Sequence, residues 1–252
     1  MRRNTRALVV IAVAAMLLSL TLPGFATVVS HVGGTGQLKT TVNSYKNVPK
    51  LSPIIYFQNP DYNGAFASQN DTNTGGYGNF ATTYDNFTLG ATYDIDEFAW
   101  VGSYFSPNVQ GLMTGATLTF YADAGGQPGA VLWQGSGGGN FGETFLGFDN
   151  VGDPTFLYDG LLGTPFTAQA GVQYWVSIVP DVGYPPQWGW ETSVDGDLLA
   201  YQDFFGSRYA YGTDLSFALY GSQQTPVPEP GSLMLLGTGM LGLAGVIRRK
   251  LF

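Results

Sequence analysis

Alternation of apolar and polar residues is the dominant pattern in the middle of the chain, between residues 53 and 221. At residues 116–122, alanine, leucine and phenylalanine alternate with threonine and tyrosine. A period of two is typical of a strand that buries one of its faces. Residues 215–220 repeat the pattern, and residues 174–179 form a run rich in aromatic and β-branched side chains.

Several other short runs also predict strands. They lie at residues 54–57, 84–89, 93–104, 130–134, 155–158, 188–192 and 198–201. Glycine- and proline-rich segments at 123–129 and 135–140 predict loops between them, and no segment of the domain keeps a 3.6-residue period. Many short strands with such connections predict an all-β fold, an antiparallel β-sandwich with the topology of a jelly roll.

The first 26 residues have the features of a signal peptide. Arg2, Arg3 and Arg6 precede an apolar run at residues 7–22, and Gly24-Phe25-Ala26 has small residues where a signal peptidase reads them. We expect a signal helix that signal peptidase cleaves after Ala26. An uncleaved membrane helix is the alternative.

The last 26 residues are ordered as a sorting tail. An extended Pro-Glu-Pro segment is followed by an apolar run at 233–247 and then by a basic cluster, which the positive-inside rule keeps in the cytoplasm. The signal residues are Val227, Pro228, Glu229, Pro230, Arg248, Arg249 and Lys250. An apolar helix of this length spans about 22 Å, against about 30 Å for the hydrocarbon core. The tail therefore favours transient insertion in the inner membrane over permanent anchoring.

In order and position, this tail resembles the PEP-CTERM proteins of Gram-negative bacteria. The resemblance implies recognition by an exosortase, an intramembrane cysteine transpeptidase, and release or attachment at the cell surface near residues 228–230. The same kind of tail is also known as an ice-binding protein C-terminal segment. The segments Asp85–Leu89, Leu118–Asp123, Gln173–Ile178 and Trp188–Trp190 look like parts of a β-sandwich module common among bacterial surface proteins with such tails. They cover most of residues 54–221, and the likeness implies fold and location only.

These features divide the chain into five parts. Residues 1–26 are a predicted signal peptide, 27–52 a leader, 53–221 the β-sandwich domain, 222–226 a linker and 227–252 the sorting tail. Between residues 27 and 226 there are four bases and 17 acids, so the formal charge is 4 − 17 = −13. We expect no nucleic-acid partner because so acidic a surface repels phosphates.

The composition also argues against most catalytic machinery. The chain has no cysteine, and its single histidine, His31, lies in the leader. Cysteine nucleophiles, thiolate metal sites and histidine-based triads are therefore excluded. A glycosidase needs only two carboxylates, but among 17 acids a suitable pair arises by chance. We predict that the protein is not an enzyme and has no catalytic residues.

We predict no cofactor, and calcium is the one candidate that the sequence offers. Asp94 with Asp96, and Asp195 with Asp197, provide hard oxygen ligands at alternate positions, without the twelve-residue pattern of an EF-hand. The alternative interpretation is a hairpin turn at Asp195 and a solvated strand face at Asp94 and Asp96.

Aromatic residues near position 187 offer a second kind of site. Tyr184, Trp188 and Trp190 could stack on sugar rings, since Tyr184 sits in a proline-stiffened loop. Trp188 and Trp190 share one strand face, however, and Gly189 between them favours close packing in the core. Tyr184 is the better candidate for an exposed ring.

We expect a secreted, exosortase-processed protein of the cell surface or of the extracellular biofilm matrix. Its role would be structural or adhesive, in association with exopolysaccharide. A carbohydrate-binding module with an aromatic sugar platform is the alternative. An enzyme acting on extracellular polymers and an ice-binding protein are further alternatives, and the threonines form no regular array of the kind that ice binding needs.

The tail makes a direct prediction about the mature protein. Mass spectrometry of surface material should find a chain that begins at Thr27 and ends near residues 228–230. Glu229→Ala should leave the full-length chain in the inner membrane, because the extended signal that the exosortase reads is damaged. Surface material that still ends at Phe252 would contradict the sorting model.

Overall fold

The computed structural model describes residues 52–138 and 143–224, together with residue 238. Residues 52–138 and 143–224 contain no α-helix. They form fifteen strands: β1 (Ile54–Gln58), β2 (Ala65–Ala67), β3 (Gln69–Asp71), β4 (Gly78–Thr88), β5 (Tyr93–Phe105), β6 (Met113–Asp123), β7 (Pro128–Gly138), β8 (Thr144–Phe148), β9 (Pro154–Ala168), β10 (Gln173–Val182), β11 (Gln187–Ser193), β12 (Ala200–Phe204), β13 (Ser207–Tyr211), β14 (Asp214–Leu215) and β15 (Phe217–Gln223). The predicted signal helix, and all of the leader and tail except residues 52 and 238, lie outside the described residues.

The first sheet is organised around β5, which is 13 residues long. One edge of β5 pairs with β15 and then with β11, and its other edge pairs with β9. Beyond these neighbours, β1 pairs with β15, β8 with β9, and both β2 and β14 with β11. All of these pairings are antiparallel.

The second sheet has the order β13-β12-β4-β10-β6-β7, and the short strand β3 pairs with both β4 and β10. Only the β3–β10 pairing, at Asn70 and Asp181, is parallel. The sheet is thus mixed, although the predicted antiparallel arrangement holds for its other pairings.

Aromatic side chains from the two sheets meet in one core. Phe120 of β6 stacks on Phe166 of β9 with 4.5 Å between ring centroids. Phe87 of β4 meets Phe217 of β15 edge-on at 6.3 Å. Because these pairs join opposite sheets, the domain is a β-sandwich, as the sequence predicts. The finer jelly-roll topology stays a prediction.

The predicted strands differ from the observed ones in some of their limits, and several short strands are absent from the prediction. Residues 135–138, predicted as a loop, continue β7 through pairing with β6. Leu198, predicted to begin a strand, has a positive φ of 61°, and β12 begins at Ala200. Ser222 and Gln223, assigned to the linker, belong to β15 because they pair with the first residues of β5. The strands β2, β3, β8 and β13 were not predicted, since short polar or glycine-containing runs carry little periodicity.

Gly102 of β5 is required by the packing of Trp188 in the neighbouring strand. A Cβ at Gly102 would collide with the indole ring of Trp188 and lie 2.8 Å from the carbonyl oxygen of Gly189. By contrast, a Cβ added at Gly163 of β9 would meet no other atom within 4 Å.

The substitution Gly102→Ala should therefore destabilise the domain by roughly 1–3 kcal/mol through overpacking. Gly163→Ala is the matched control and should change the free energy of unfolding by less than about 0.5 kcal/mol. Urea denaturation of both variants measures the difference. Equal stability of the two variants would show that the packing of Trp188 does not require a glycine at position 102.

Candidate functional site

A polar groove lies on the outer face of the second sheet. It occupies about 800 Å³, including solvent at its open mouth, and is formed by outward-facing positions of β3, β4, β6, β7 and β10. The lining residues are Asn70, Asn79, Thr82, Tyr84, Thr117, Thr119, Tyr121, Gln134, Ser136, Ser177, Val179 and Asp181. Hydroxyl and amide groups dominate this surface, which we call the outer groove.

Strand alternation creates the outer groove. In β6, Leu118 and Phe120 point into the core, so Thr117, Thr119 and Tyr121 point outward. The sequence predicted these two faces, and the structure confirms them.

Cross-strand register aligns the polar side chains in a row across the sheet. Ser177 of β10 pairs with Tyr84 of β4 on one side and with Thr119 of β6 on the other. Thr119 in turn pairs with Gln134 of β7. The row therefore presents phenol, hydroxyl, hydroxyl and amide groups in succession, a few ångströms apart.

Hydrogen bonds fix the side chains of the outer groove while leaving binding capacity. The Tyr121 and Ser177 hydroxyls are 3.0 Å apart, and Gln134 Nε2 donates to Thr119 Oγ1 at 3.1 Å. Ser177 and Thr119 are themselves buried, so Tyr121 and Gln134 are the members of these two pairs that keep donors and acceptors for a ligand.

Two tyrosine rings stand at the β4 side of the groove. Tyr84 and Tyr121 meet edge-on, with 5.4 Å between centroids. The Arg208 guanidinium lies 5.3 Å from the centroid of Tyr84 and makes two 2.7 Å hydrogen bonds to Asp203. Tyr84 Oη also donates to Asp203, at 2.9 Å. Tyr84 is thus held on both its face and its hydroxyl.

The same contacts determine the charge states of Asp203 and Tyr84. Burial alone would raise the pKa of the Asp203 carboxyl, but the hydrogen bonds from Arg208 and Tyr84 outweigh it and lower this pKa. Burial and the neighbouring Tyr121 and Asp203 raise the pKa of Tyr84. Asp203 is therefore ionised and Tyr84 neutral at pH 7.

The indoles predicted as a sugar platform are in the core. Trp188 and Trp190 are both 0% exposed, so neither has a ring face free for a ligand. Trp190 Nε1 donates to the Ser216 carbonyl at 2.7 Å, and Trp188 Nε1 donates to Tyr158 Oη at 3.1 Å. The carbohydrate-binding role proposed for these two residues is wrong, and the alternative of a core pair is confirmed.

Tyr184 belongs to a cluster of rings near the β3–β4 turn and the β12–β13 turn. Tyr77 contacts Tyr184 and Phe205 edge-on at 5.8 and 5.4 Å, and Phe80 contacts both of them too. Tyr77 is 61% exposed and Phe205 57% exposed, whereas Tyr184 is half-buried. We call these rings, with Phe204, the end cluster. A sugar contact at Tyr184 stays a prediction.

The acids predicted as calcium ligands accept hydrogen bonds from protein groups instead. Asp94 accepts from Thr167 and Gln224, and Asp96 accepts from Ser52. Among the described residues, no group of three acidic or histidine side chains has the arrangement of a metal site.

The second predicted pair is arranged in the same way. Asp195 accepts from the backbone and side chain of Asn59, and Asp197 accepts from Asn86. Their loop joins β11 of the first sheet to β12 of the second, so it is not the hairpin that was the alternative. Calcium binding at these two segments stays a prediction without structural support.

The fold and the groove define a class of protein, an acidic β-sandwich with a hydroxyl- and amide-lined groove on one outer face. A model of the PEP-CTERM protein-sorting motif matches residues 226–250, where the sequence predicted the sorting tail. The chain thus carries a PEP-CTERM protein-sorting motif in this segment. No curated protein and no solved structure matches the chain.

The motif identifies exosortase as the processing partner and the protein as one secreted to the cell surface or the extracellular space. Within the part of the chain that the structure describes, no helix is both long and apolar enough to cross a membrane. The predicted apolar helix at 233–247 lies outside that part, apart from residue 238.

The Asp203–Arg208 pair gives a prediction about pH. Arg208→Gln should raise the pKa of Asp203, because the remaining hydrogen bond from Tyr84 no longer outweighs burial. The folded-state pKa of Asp203 lies below its ordinary value of about 4, so the pair stabilises the fold above about pH 4. The stability difference between wild type and variant should shrink as pH falls through the folded-state pKa.

An NMR titration of the side-chain carboxyl carbons measures this change directly. Asp123 is the internal control, since its pKa is lowered mainly by a hydrogen bond from Trp175 that the substitution leaves intact. An unchanged Asp203 pKa in the variant would contradict the assigned cause.

Proposed function

We propose that the protein is an adhesive component of the cell surface or extracellular matrix, whose outer groove binds a polysaccharide chain. In this proposal signal peptidase removes residues 1–26, exosortase acts near residues 228–230, and the β-sandwich then associates with exopolysaccharide. The observation that carries the proposal is the hydroxyl- and amide-rich lining of the outer groove, in which Tyr121, Gln134 and Ser136 stay accessible.

The chemistry of the groove suits a sugar chain. Each sugar ring offers several hydroxyls that donate and accept, and the half-buried Thr117, together with the exposed Gln134 and Ser136, offers the same two capacities in return. Tyr121, which is half-buried, adds aromatic surface for the apolar side of a sugar. Depth, aromatic rings and a few oriented polar groups are the usual features of a small-molecule or polymer site.

The charge of the domain restricts the polymer. The 17 acids counted between residues 27 and 226 all fall within residues 52–138 and 143–224. Arg208 is the one base in those two ranges, so the formal charge of the ranges is 1 − 17 = −16. Uronate- or sulfate-bearing chains would be repelled at low salt. A neutral or amine-bearing polysaccharide is therefore the proposed ligand class.

We also propose that the groove binds without catalysis. Asp181 is the single carboxylate among the residues that line it, and its Oδ1 accepts a 2.7 Å hydrogen bond from Asn70. Glycoside hydrolysis by the usual route needs two carboxylates that flank the bond. A concave lining of mixed side chains also gives no support to ice binding, which needs a flat, regular array.

Affinity electrophoresis in gels that contain native exopolysaccharide tests the proposal. Tyr121→Ala should weaken retardation, with a loss of roughly three- to tenfold in affinity, because one aromatic contact of about 0.5–1.5 kcal/mol is removed. Tyr209→Ala is the control, since it removes a 43% exposed tyrosine outside the groove and should leave binding unchanged.

Tyr77→Ala separates the two candidate surfaces. It removes the most exposed ring of the end cluster and leaves the outer groove intact. If Tyr77→Ala abolishes retardation while Tyr121→Ala does not, the end cluster is the binding surface and the groove proposal is wrong. Turnover of the polymer by the wild-type protein would overturn the non-catalytic part of the proposal.

A further inference from the structure

Two loops cover part of the outer face of the first sheet. One joins β1 to β2 at residues 59–64, and the other joins β8 to β9 at residues 149–153. They are linked to each other, because the Asn150 backbone N–H donates to the Tyr62 carbonyl at 2.8 Å and Asn150 Nδ2 donates to Asn63 Oδ1 at 2.9 Å. The side chains beneath them are shielded from water.

Beneath these loops lies a buried carboxylate that has too few hydrogen-bond donors. Glu191 of β11 is 0% exposed, and among the described residues the Ser103 side chain is the one group whose hydrogen bond lowers the pKa of Glu191. Asp149 Oδ2, which is also buried, has no hydrogen-bond partner among the described residues. The Ser103 hydroxyl can donate to only one of the two Glu191 oxygens, so at least two buried carboxyl oxygens lack a donor, whereas buried polar atoms in native proteins are almost always satisfied.

Negative charge accumulates around these oxygens. Burial raises the pKa of Glu191 well above its ordinary value, and the charges of Asp149, Asp61 and Asp153 raise it further. The nearby Ser103 hydroxyl lowers the pKa of Glu191 without reversing the shift. Burial, with Asp149 again contributing, raises the pKa of Asp153 to about 6. The raised pKa values of Glu191 and Asp153 show that a further negative charge is unfavourable at this place.

No basic side chain of the described residues offsets that charge. Arg208 is the only base in residues 52–138 and 143–224, and it is bound to Asp203 on the second sheet. An ionised carboxylate buried without a counter-ion costs several kcal/mol. Such an environment is stable only if a cation enters it or if the carboxyl is protonated.

We propose that a calcium ion binds beneath the two loops, with Glu191 and Asp149 as its carboxylate ligands and the Ser103 hydroxyl among its neutral oxygen ligands. The ion would supply the unsatisfied oxygens with a partner and neutralise the two carboxylates together. Calcium accepts carboxylate, hydroxyl, carbonyl and water oxygens in flexible geometry, so two carboxylates suffice when neutral oxygens complete the shell.

The surrounding contacts agree with this division of roles. Asp61 Oδ1 is already engaged by Thr192 Oγ1 at 2.6 Å and by the Asn63 backbone N–H at 3.0 Å. Asp61 and Asp153 therefore contribute charge that attracts a cation, while Glu191 and Asp149 have oxygens free to bind it. This assignment is independent of the acids at 94–96 and 195–197.

The test uses the purified protein stripped with EGTA and titrated with CaCl₂ alone. Calorimetry should detect one saturable site per chain, and calcium at about 100 times its Kd should raise Tm by roughly 5–10 °C. Absence of saturable binding in the wild-type protein overturns the proposal and assigns Glu191 to the protonated state.

Glu191→Gln gives a signature that a merely structural role would not produce. In EGTA the variant should be more stable than wild type, because a buried charge without a partner is gone. In calcium it should be less stable than wild type, because the ion no longer binds. The same stability order in both buffers would overturn the proposal.

Three further variants complete the experiment. Asp149→Asn should also weaken calcium binding, by about tenfold or more, since one of the two carboxylate ligands is lost, and it replaces Glu191→Gln if that variant fails to fold. Asp159→Asn is the matched control, since it removes an acid of the same sheet outside the proposed site and should keep the full calcium response. Asp94→Asn tests the predicted pair at 94–96 and should keep the response too. Loss of the response in Asp94→Asn with retention in Asp149→Asn would place calcium elsewhere and refute the assignment.

Discussion

The packing of aromatic rings between the two sheets is the interaction on which the rest of the structure depends. The chain has no cysteine, so no disulfide holds the sheets together. Phe98 of the first sheet stacks on Phe217 at 5.7 Å and meets Phe120 of the second sheet edge-on at 6.5 Å. Trp190 closes the layer against Phe98 and Phe217 at 6.3 and 6.0 Å. Each ring buries roughly 150–250 Å² of apolar surface, which makes this layer the main source of stability.

The same layer determines the outer groove, because one strand carries both. In β6, Phe120 enters the core, and its neighbours Thr119 and Tyr121 must then face outward. A shift of one residue in register would turn Phe120 to solvent and the polar side chains into the core. Because exposing Phe120 is unfavourable, the same interaction keeps the polar side chains on the outer face. The packing of the core therefore determines which side chains line the groove. These side chains lie on strands rather than on mobile loops.

The sequence predicted those parts of the molecule that depend on local pattern. The two faces of β6, the core position of Trp188 and Trp190, and the sorting tail all follow from neighbouring residues. The groove could not be predicted, since it needs the order β4-β10-β6-β7, in which β10 lies between β4 and β6 although it is far from both in sequence. Glu191 was missed for a related reason. It follows Trp190 and so should face solvent, but two loops distant in sequence cover it.

The distribution of acids explains why Glu191 is exceptional. A domain with one arginine cannot satisfy its buried carboxylates with salt bridges, and it uses backbone N–H groups instead. Asp85 accepts from Leu215 N at 2.6 Å and Asn86 N at 2.7 Å, and Asp214 accepts from Gly196 N at 2.9 Å. These donors compensate the carboxyls although burial raises both pKa values. Asp85 and Asp214 are as buried as Glu191 and accept from backbone N–H groups, whereas Glu191 is influenced by a single hydroxyl, that of Ser103. A partner that comes from solution would complete its shell, and a cation is the partner that its charge selects.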